Sequence, residues 1–311
     1  MIHILGGMAA IIVIGLLWRI TLGEKSAEKV RSHLVSAVYY IFLPALALQL
    51  MWATPMNADS IRVPVVAGIV ILTSLLVASL IYAGGRWFVG TPLQRRKTLG
   101  AALLACGFGN FTYLGLPVVS QVFGEWAQVV AIQFDMFAST PILFTIGVLM
   151  AAYYGSSKEQ PHPVRELISV PALWAALLGL CVGILGWSQP LWLENSLEIL
   201  SAAVVPLMLL SIGMALRWQA GWVLRVPILI PVVLIQLVLM PWMVWGLGSV
   251  ANMSVDVLHV AIIEGAMPSM VLGLVLCERF KLDVSLYAEA VTLTTACSLL
   301  TLPMWLSVLQ V

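Results

Sequence analysis

Charge is what this chain has least of. Only 9% of its 311 residues are charged, while 61% are hydrophobic; ordinary soluble domains carry about 25% and 45–50%. Too few polar side chains remain to cover a water-facing surface, so a soluble globular fold is excluded and an integral membrane protein is expected. A formal net charge of +1 provides no basic field and excludes nucleic-acid partners. The four cysteines, Cys106, Cys181, Cys277 and Cys297, fall inside apolar runs without paired spacing, which argues against a disulfide framework or a zinc site. No His-Glu-x-x-His occurs. Gly107-Phe108-Gly109 is followed by Asn110 where an intramembrane aspartyl protease needs an acid, so an enzyme is not expected.

What is present is a series of apolar runs, at 3–21, 34–52, 63–85, 98–122, 126–153, 167–187, 196–215, 224–249, 255–277 and 285–308. A crossing needs about 20 residues, so these predict an all-α membrane protein of ten transmembrane helices with no room for a soluble domain. The first run is followed by Arg19, Lys25, Lys29 and Arg31 without a small-residue cleavage site, which predicts a retained helix and not a signal peptide. If the helices alternate, 14 of the 15 Lys and Arg fall on one side: these four together with Arg86, Arg95–Lys97, Lys158, Arg165, Arg217, Arg225, Arg279 and Lys281. Arg62 alone is opposite. The positive-inside rule then puts the basic side in the cytoplasm and both termini outside. Trp52, Trp87, Trp126, Trp187, Trp192, Trp218 and Trp222 lie near run ends, as interfacial anchors do.

The two halves of the chain echo each other. Pro44 in the second helix and Pro206 in the seventh are 162 residues apart, as are Pro141 in the fifth and Pro303 in the tenth; Pro117 and Pro268 are 151 apart. An odd number of crossings per half forces opposite orientations, so the pattern predicts a 5+5 inverted repeat. Residues 1–153 form the first repeat, 154–166 a cytoplasmic linker, and 167–311 the second repeat.

The fourth and ninth helices carry breaking signals in mid-span. Gly107-Phe108-Gly109-Asn110-Phe111-Thr112-Tyr113-Leu114-Gly115-Leu116-Pro117 lies in one, and Glu264-Gly265-Ala266-Met267-Pro268-Ser269 in the other. Unwound backbone is tolerated in a membrane only when buried in protein or lining a cavity, and paired breaks in inverted halves point to a transport site. Pro117 and Pro268 are each expected to start a second half-helix whose free amides hold an anion. The candidate substrate positions are Gly109, Asn110, Tyr113, Gly115 and Pro117 on the fourth helix, with Gly265, Pro268 and Ser269 on the ninth.

Two acids sit deep, Asp135 in the fifth helix and Glu264 at the ninth-helix break, with no Lys or Arg at mid-membrane to pair with them. Each therefore needs a proton or a cation, which makes Asp135, Glu264 and Asn110 candidates for ion coupling and for a Na⁺ site. Glu278 and Glu289 are expected to be solvated or to pair with Arg279 or Lys281, and Gln49, Gln133 and Gln236 either line the pathway or bond between helices.

The string Gly109-Asn110-Phe111-Thr112-Tyr113-Leu114-Gly115-Leu116-Pro117, with Ala266-Met267-Pro268 and Leu276-Cys277-Glu278-Arg279-Phe280, resembles the auxin efflux carrier family, which includes plant auxin carriers and bacterial malate and malonate permeases. The absence of a long central hydrophilic loop resembles bacterial members. The resemblance implies a fold related to the sodium–bile acid symporters, with helices one, two, six and seven as a scaffold that often dimerises and the others as a moving transport domain. It also implies that Asn110, Pro117 and Pro268 lie near a substrate carboxylate, and that Glu264 helps bind sodium as the similar stretch does in the bile acid carriers. The reading that follows is a secondary transporter of a small organic anion in a bacterial inner membrane. It would work by elevator-type alternating access, coupled to Na⁺ or H⁺, with no other cofactor. An uncoupled uniporter or channel, or a membrane sensor for an organic acid, is the alternative.

Overall fold

In the computed structural model, residues 2–54, 56–84, 92–157, 159–216 and 222–311 are described. Arg86, Trp87, Lys158, Arg217 and Trp218, singled out above, lie outside the described residues. Most of the described chain is helical, with turns and loops between the helices, and the β-structure among the described residues is one two-residue bridge.

We number the helices α1 (Ile2–Leu22), α2 (Glu24–Ala53), α3 (Asp59–Tyr82), α4 (Pro92–Gly107), α5 (Phe111–Phe123), α6 (Glu125–Tyr154), α7 (Pro163–Ile168), α8 (Pro171–Ile184), α9 (Leu191–Ala215), α10 (Val223–Val250), α11 (Val255–Gly265), α12 (Gly273–Arg279) and α13 (Val284–Val308). Among them α2, α3, α6, α9, α10 and α13, of 24 to 30 residues, are long and apolar enough to cross a membrane. At 1.5 Å per residue even the shortest exceeds the roughly 30 Å hydrocarbon core. The other four apolar runs are helical too, in shorter or divided pieces. Large apolar side chains such as Ile20, Leu80, Leu178 and Leu300 are exposed on the outside, a surface suited to lipid.

Four of the helices, α2, α5, α6 and α10, carry a wide turn at the same distance before a proline. Leu43 bonds five residues back to Val38, Leu116 to Phe111, Thr140 to Asp135 and Met240 to Ile235. The next residue is Pro44, Pro117, Pro141 or Pro241. Proline lacks an amide hydrogen and its ring collides with the carbonyl four residues back, so widening the preceding turn keeps the rod continuous. The carbonyl freed in this way at Leu237 accepts the indole N–H of Trp305, at 2.9 Å.

Two helix pairs are held in close contact by glycine. A Cβ on Gly15 of α1 would run into the carbonyl of Leu210 on α9, and one on Gly179 of α8 would lie 2.6 Å from the carbonyl of Leu48 on α2. Leu48 and Leu210 are 162 residues apart, the spacing of the proline repeat. Small residues allow this approach, and in lipid such packing drives helix association.

Three of the described basic side chains gather at one end. Arg96 reaches the Tyr153 carbonyl, Arg225 pairs with Asp283 and Glu289, and Arg279 pairs with Glu159 and Glu166. Glu289 thus finds Arg225 and not the expected Arg279 or Lys281; it points across from α13 to the start of α10. At the opposite end Arg62 pairs with Asp59 and donates to the Asn252 carbonyl, and the indole of Trp52 donates to the Trp187 carbonyl at 2.7 Å.

Candidate functional site

The two broken helices meet where the sequence loses its helix formers. α4 ends at Gly107, Phe108 to Asn110 separate it from α5, and Ala266 to Leu272 separate α11 from α12. Gly109 and Ser269 form the antiparallel bridge. The amide of Asn110 donates to Pro268 O at 2.7 Å and the amide of Met270 donates to Phe108 O at 3.0 Å. Each break thus satisfies the other's backbone, as a chain shielded from water requires.

Side chains secure the crossing from outside. The carbonyl of Ala105, near the end of α4, accepts from both Ser269 Oγ and Gln236 Nε2, each at 2.8 Å. Thr294 Oγ1 accepts from the Ser269 amide at 3.1 Å, and Tyr287 donates its hydroxyl to Met270 O at 2.9 Å. Ser269 is therefore a structural clasp, fully buried. Gln49 and Gln236 bond between helices, Gln49 accepting from Ser201 at 2.6 Å.

The half-helix starts differ from expectation. α5 begins at Phe111, directly after Asn110, and Pro117 lies more than one turn inside it, where it widens the turn at Phe111–Gly115. Pro268 lies in the unwound stretch, and α12 starts only at Gly273. Proline tolerates a first-turn position, yet here the glycine and asparagine at 109–110 set the break and the widened turn absorbs Pro117. Of the two half-helices, α5 is the one that starts directly at the crossing.

A cavity of about 40 Å³ lies beside the crossing, lined by Gly109, Asn110, Phe111, Thr112 and Tyr113 of the first break and by Asp135, Thr140, Tyr39 and Met270 from neighbouring elements. It has room for one or a few waters or a small ion. Asn110 is 4% exposed and its Nδ2 has no hydrogen-bond partner. Asp135 accepts from the Thr112 hydroxyl and from Thr140 Oγ1, the latter at 3.2 Å. No Lys or Arg is among the lining residues. An unpaired amide donor, the first amides of a 13-residue helix and a carboxylate thus share one wall.

Of the residues picked from sequence, Gly109, Asn110, Tyr113 and Asp135 line this cavity. Gly115 instead packs on Glu264, whose carboxyl carbon would lie 2.8 Å from a Cβ there, and Gly265 packs on Val244 and Pro241. Glu264 has no exposed surface, and neither of its carboxylate oxygens has a partner. An ionised carboxylate in that position is too costly to stand alone, so it requires a proton or a cation. Glu264 is not among the residues that line this cavity, although it lies within electrostatic reach of Asp135. Thr112 and Thr140 escaped the sequence reading. Thr140 could have been found from its place one residue before Pro141, on the widened turn that begins at Asp135.

The chain matches the membrane transport protein family over residues 8–306. It is 29% identical over 294 residues to an uncharacterized transporter of Methanothermobacter thermautotrophicus, covering 93% of this chain and 91% of that protein. It is 26% identical over 279 residues to another uncharacterized transporter, from Methanocaldococcus jannaschii, with 86% of each chain covered. The chain belongs to the membrane transport protein family, the family its motifs resemble, and is a multi-pass membrane protein and not an enzyme.

Proposed function

We propose that this member of the membrane transport protein family is a secondary transporter of a small organic anion, a mono- or dicarboxylate. The observation that carries the reading is the buried, unpartnered Nδ2 of Asn110 beside the first amides of α5. Amide donors at a positive helix end recognise a carboxylate without a basic side chain. Asp135 on the same cavity would repel that anion unless neutralised, and Glu264 also needs a positive partner, so coupling to Na⁺ or H⁺ follows.

The proposed architecture is ten crossings in two inverted halves, residues 1–153 and 167–311, joined by a linker at 154–166. Support comes from the Gly15–Leu210 and Gly179–Leu48 contacts, whose leucine partners are 162 residues apart, the proline spacing. The helices they join, α1 with α9 and α2 with α8, are the proposed scaffold. The crossing and its supporting helices are the part that travels in an elevator-type cycle. The gathering of three described basic side chains at one end supports a cytoplasmic face there, with both termini outside. A bacterial plasma membrane and a homodimer joined through the scaffold complete the proposal.

The test is the melting temperature of the purified protein across a panel of mono- and dicarboxylates, in sodium against choline and at two pH values. A ligand that binds the folded state raises it. Stabilisation by a carboxylate that needs sodium or low pH is expected; no shift with any carboxylate contradicts the reading.

A further inference from the structure

The motif that ends in Glu278-Arg279-Phe280 takes no part in the crossing, yet it holds the chain that leads from α6 to α8. That chain is secured in two stretches. In the first, the amides of Ser156 and Ser157 donate to the Phe280 carbonyl at 3.1 and 3.3 Å, and a Cβ on Gly155 would run into the same oxygen. Glu159 follows, accepting from Arg279 Nε at 2.9 Å. The second stretch is α7 and the corner after it. Trp174 of α8 donates its indole N–H to Ile168 O at 2.7 Å, and the Val170 amide donates to Leu167 O at 3.2 Å, so this corner is fixed to the start of α8.

Arg279 bridges the two stretches. Its Nη1 lies 3.1 Å from a Glu166 oxygen on α7, while its Nε holds Glu159. The Glu166 side chain is 12% exposed and that of Glu159 58%, so solvent weakens the Glu166 pair less. Just past Glu166 the chain reaches the cavity beside the crossing. Ile168 and Ser169 are exposed, whereas Val170 and Ala172 are buried and line the cavity that holds the Asn110 side chain. The chain thus passes from surface to cavity wall within a single residue, at a corner whose hold on α12 is the Glu166 carboxylate.

We propose that Arg279 is a latch: its pair with Glu166 holds the α7–α8 corner against the end of α12 and keeps Val170 over the cavity. Release of that pair opens the cavity at the Arg279 end of the molecule. Glu159 belongs to the stretch already tied to Phe280, so it orients Arg279 and closes nothing. The inference rests on the proposed division into a scaffold with α8 and a travelling part with α12 for the use of the latch in transport, and not for the closure itself.

The experiment uses Met136→Cys, a cavity-lining position, as a reporter in a background with Cys106, Cys181, Cys277 and Cys297 replaced. The rate at which a charged, water-soluble thiol reagent labels it is measured in the purified protein, alone and with Arg279→Gln, Glu166→Gln or Glu159→Gln. Arg279→Gln and Glu166→Gln are expected to speed labelling about two- to fivefold, the change that loss of a partly exposed ion pair supports. Glu159→Gln is expected to label at the rate of the unmutated latch. An unchanged rate in Glu166→Gln overturns the latch, as does equal acceleration by Glu159→Gln, which would mean general loosening of the linker. If Arg279→Gln does not fold, Glu166→Gln against Glu159→Gln decides alone. Carboxylate-induced melting shifts are measured separately, so the anion site and the latch can each fail without the other.

Discussion

Asn110 divides its hydrogen-bonding groups between the fold and the cavity: its amide closes the crossing on Pro268 at 2.7 Å, while its side-chain Nδ2 remains unpaired. A backbone bond to the opposite break holds the side chain in place, so the donor is positioned without help from a side-chain network. This arrangement makes Asn110 separable into structural and functional parts by mutation.

Asn110→Ala keeps the backbone bond and deletes the donor. A hydrogen bond to a charged group contributes about 1.5–3 kcal/mol, so the apparent affinity for the carboxylate should fall roughly 10- to 100-fold with little change in melting temperature. Asn110→Asp should be worse, because it adds a second carboxylate to the wall that already holds Asp135. Equal affinities in wild type and both variants, measured by ligand-induced melting shifts, remove Asn110 from the site.

Replacing a helical glycine by alanine ordinarily stabilises by about 0.8–1 kcal/mol. At Gly115 the added methyl meets the Glu264 carboxyl group, so Gly115→Ala is expected to lower the melting temperature. Gly246→Ala, where nothing lies within 4 Å, should not. Matching increases in the two variants would mean that the Gly115–Glu264 contact constrains nothing.

Repeat symmetry makes a paired prediction for the scaffold. Gly15→Leu and Gly179→Leu each push a side chain into a facing backbone carbonyl and should destabilise by about 1–3 kcal/mol. Gly7→Leu, in open space on α1, is the control. Melting curves in detergent check all three; tolerance at Gly15 or Gly179 argues against close packing of that pair.

For orientation, single cysteines at Asn57 and Gln160, in a background with Cys106, Cys181, Cys277 and Cys297 replaced, report the two ends. Both positions are exposed. A membrane-impermeant maleimide applied to intact cells should label the cysteine at 57 and spare the one at 160. The reverse pattern inverts the proposed topology.

The sequence was most legible where physics acts over long stretches. Ten apolar runs became helical segments because hydropathy needs no detail, and both breaks were found because Gly109, Asn110 and Pro268 interrupt any helix. Less legible was the use made of each proline. Pro117 reads as a helix start, yet a widened turn of five residues absorbs it, a local adjustment that composition does not reveal. Gly115 and Gly265 stand out in the motifs, but what they touch, Glu264 in one case and Val244 in the other, depends on which helices pack together. Gln236 shows the same limit: its bond to Ala105 spans 131 residues of sequence.

The central claim is that this protein carries a carboxylate across the membrane. Counterflow in proteoliposomes tests it most directly, using the carboxylate that best stabilises the purified protein. Labelled substrate should transiently accumulate when the lumen is loaded with unlabelled substrate, and Asn110→Ala should abolish the overshoot while inserting normally. Equilibration without an overshoot, as through a pore, or an undiminished overshoot in Asn110→Ala, contradicts the account.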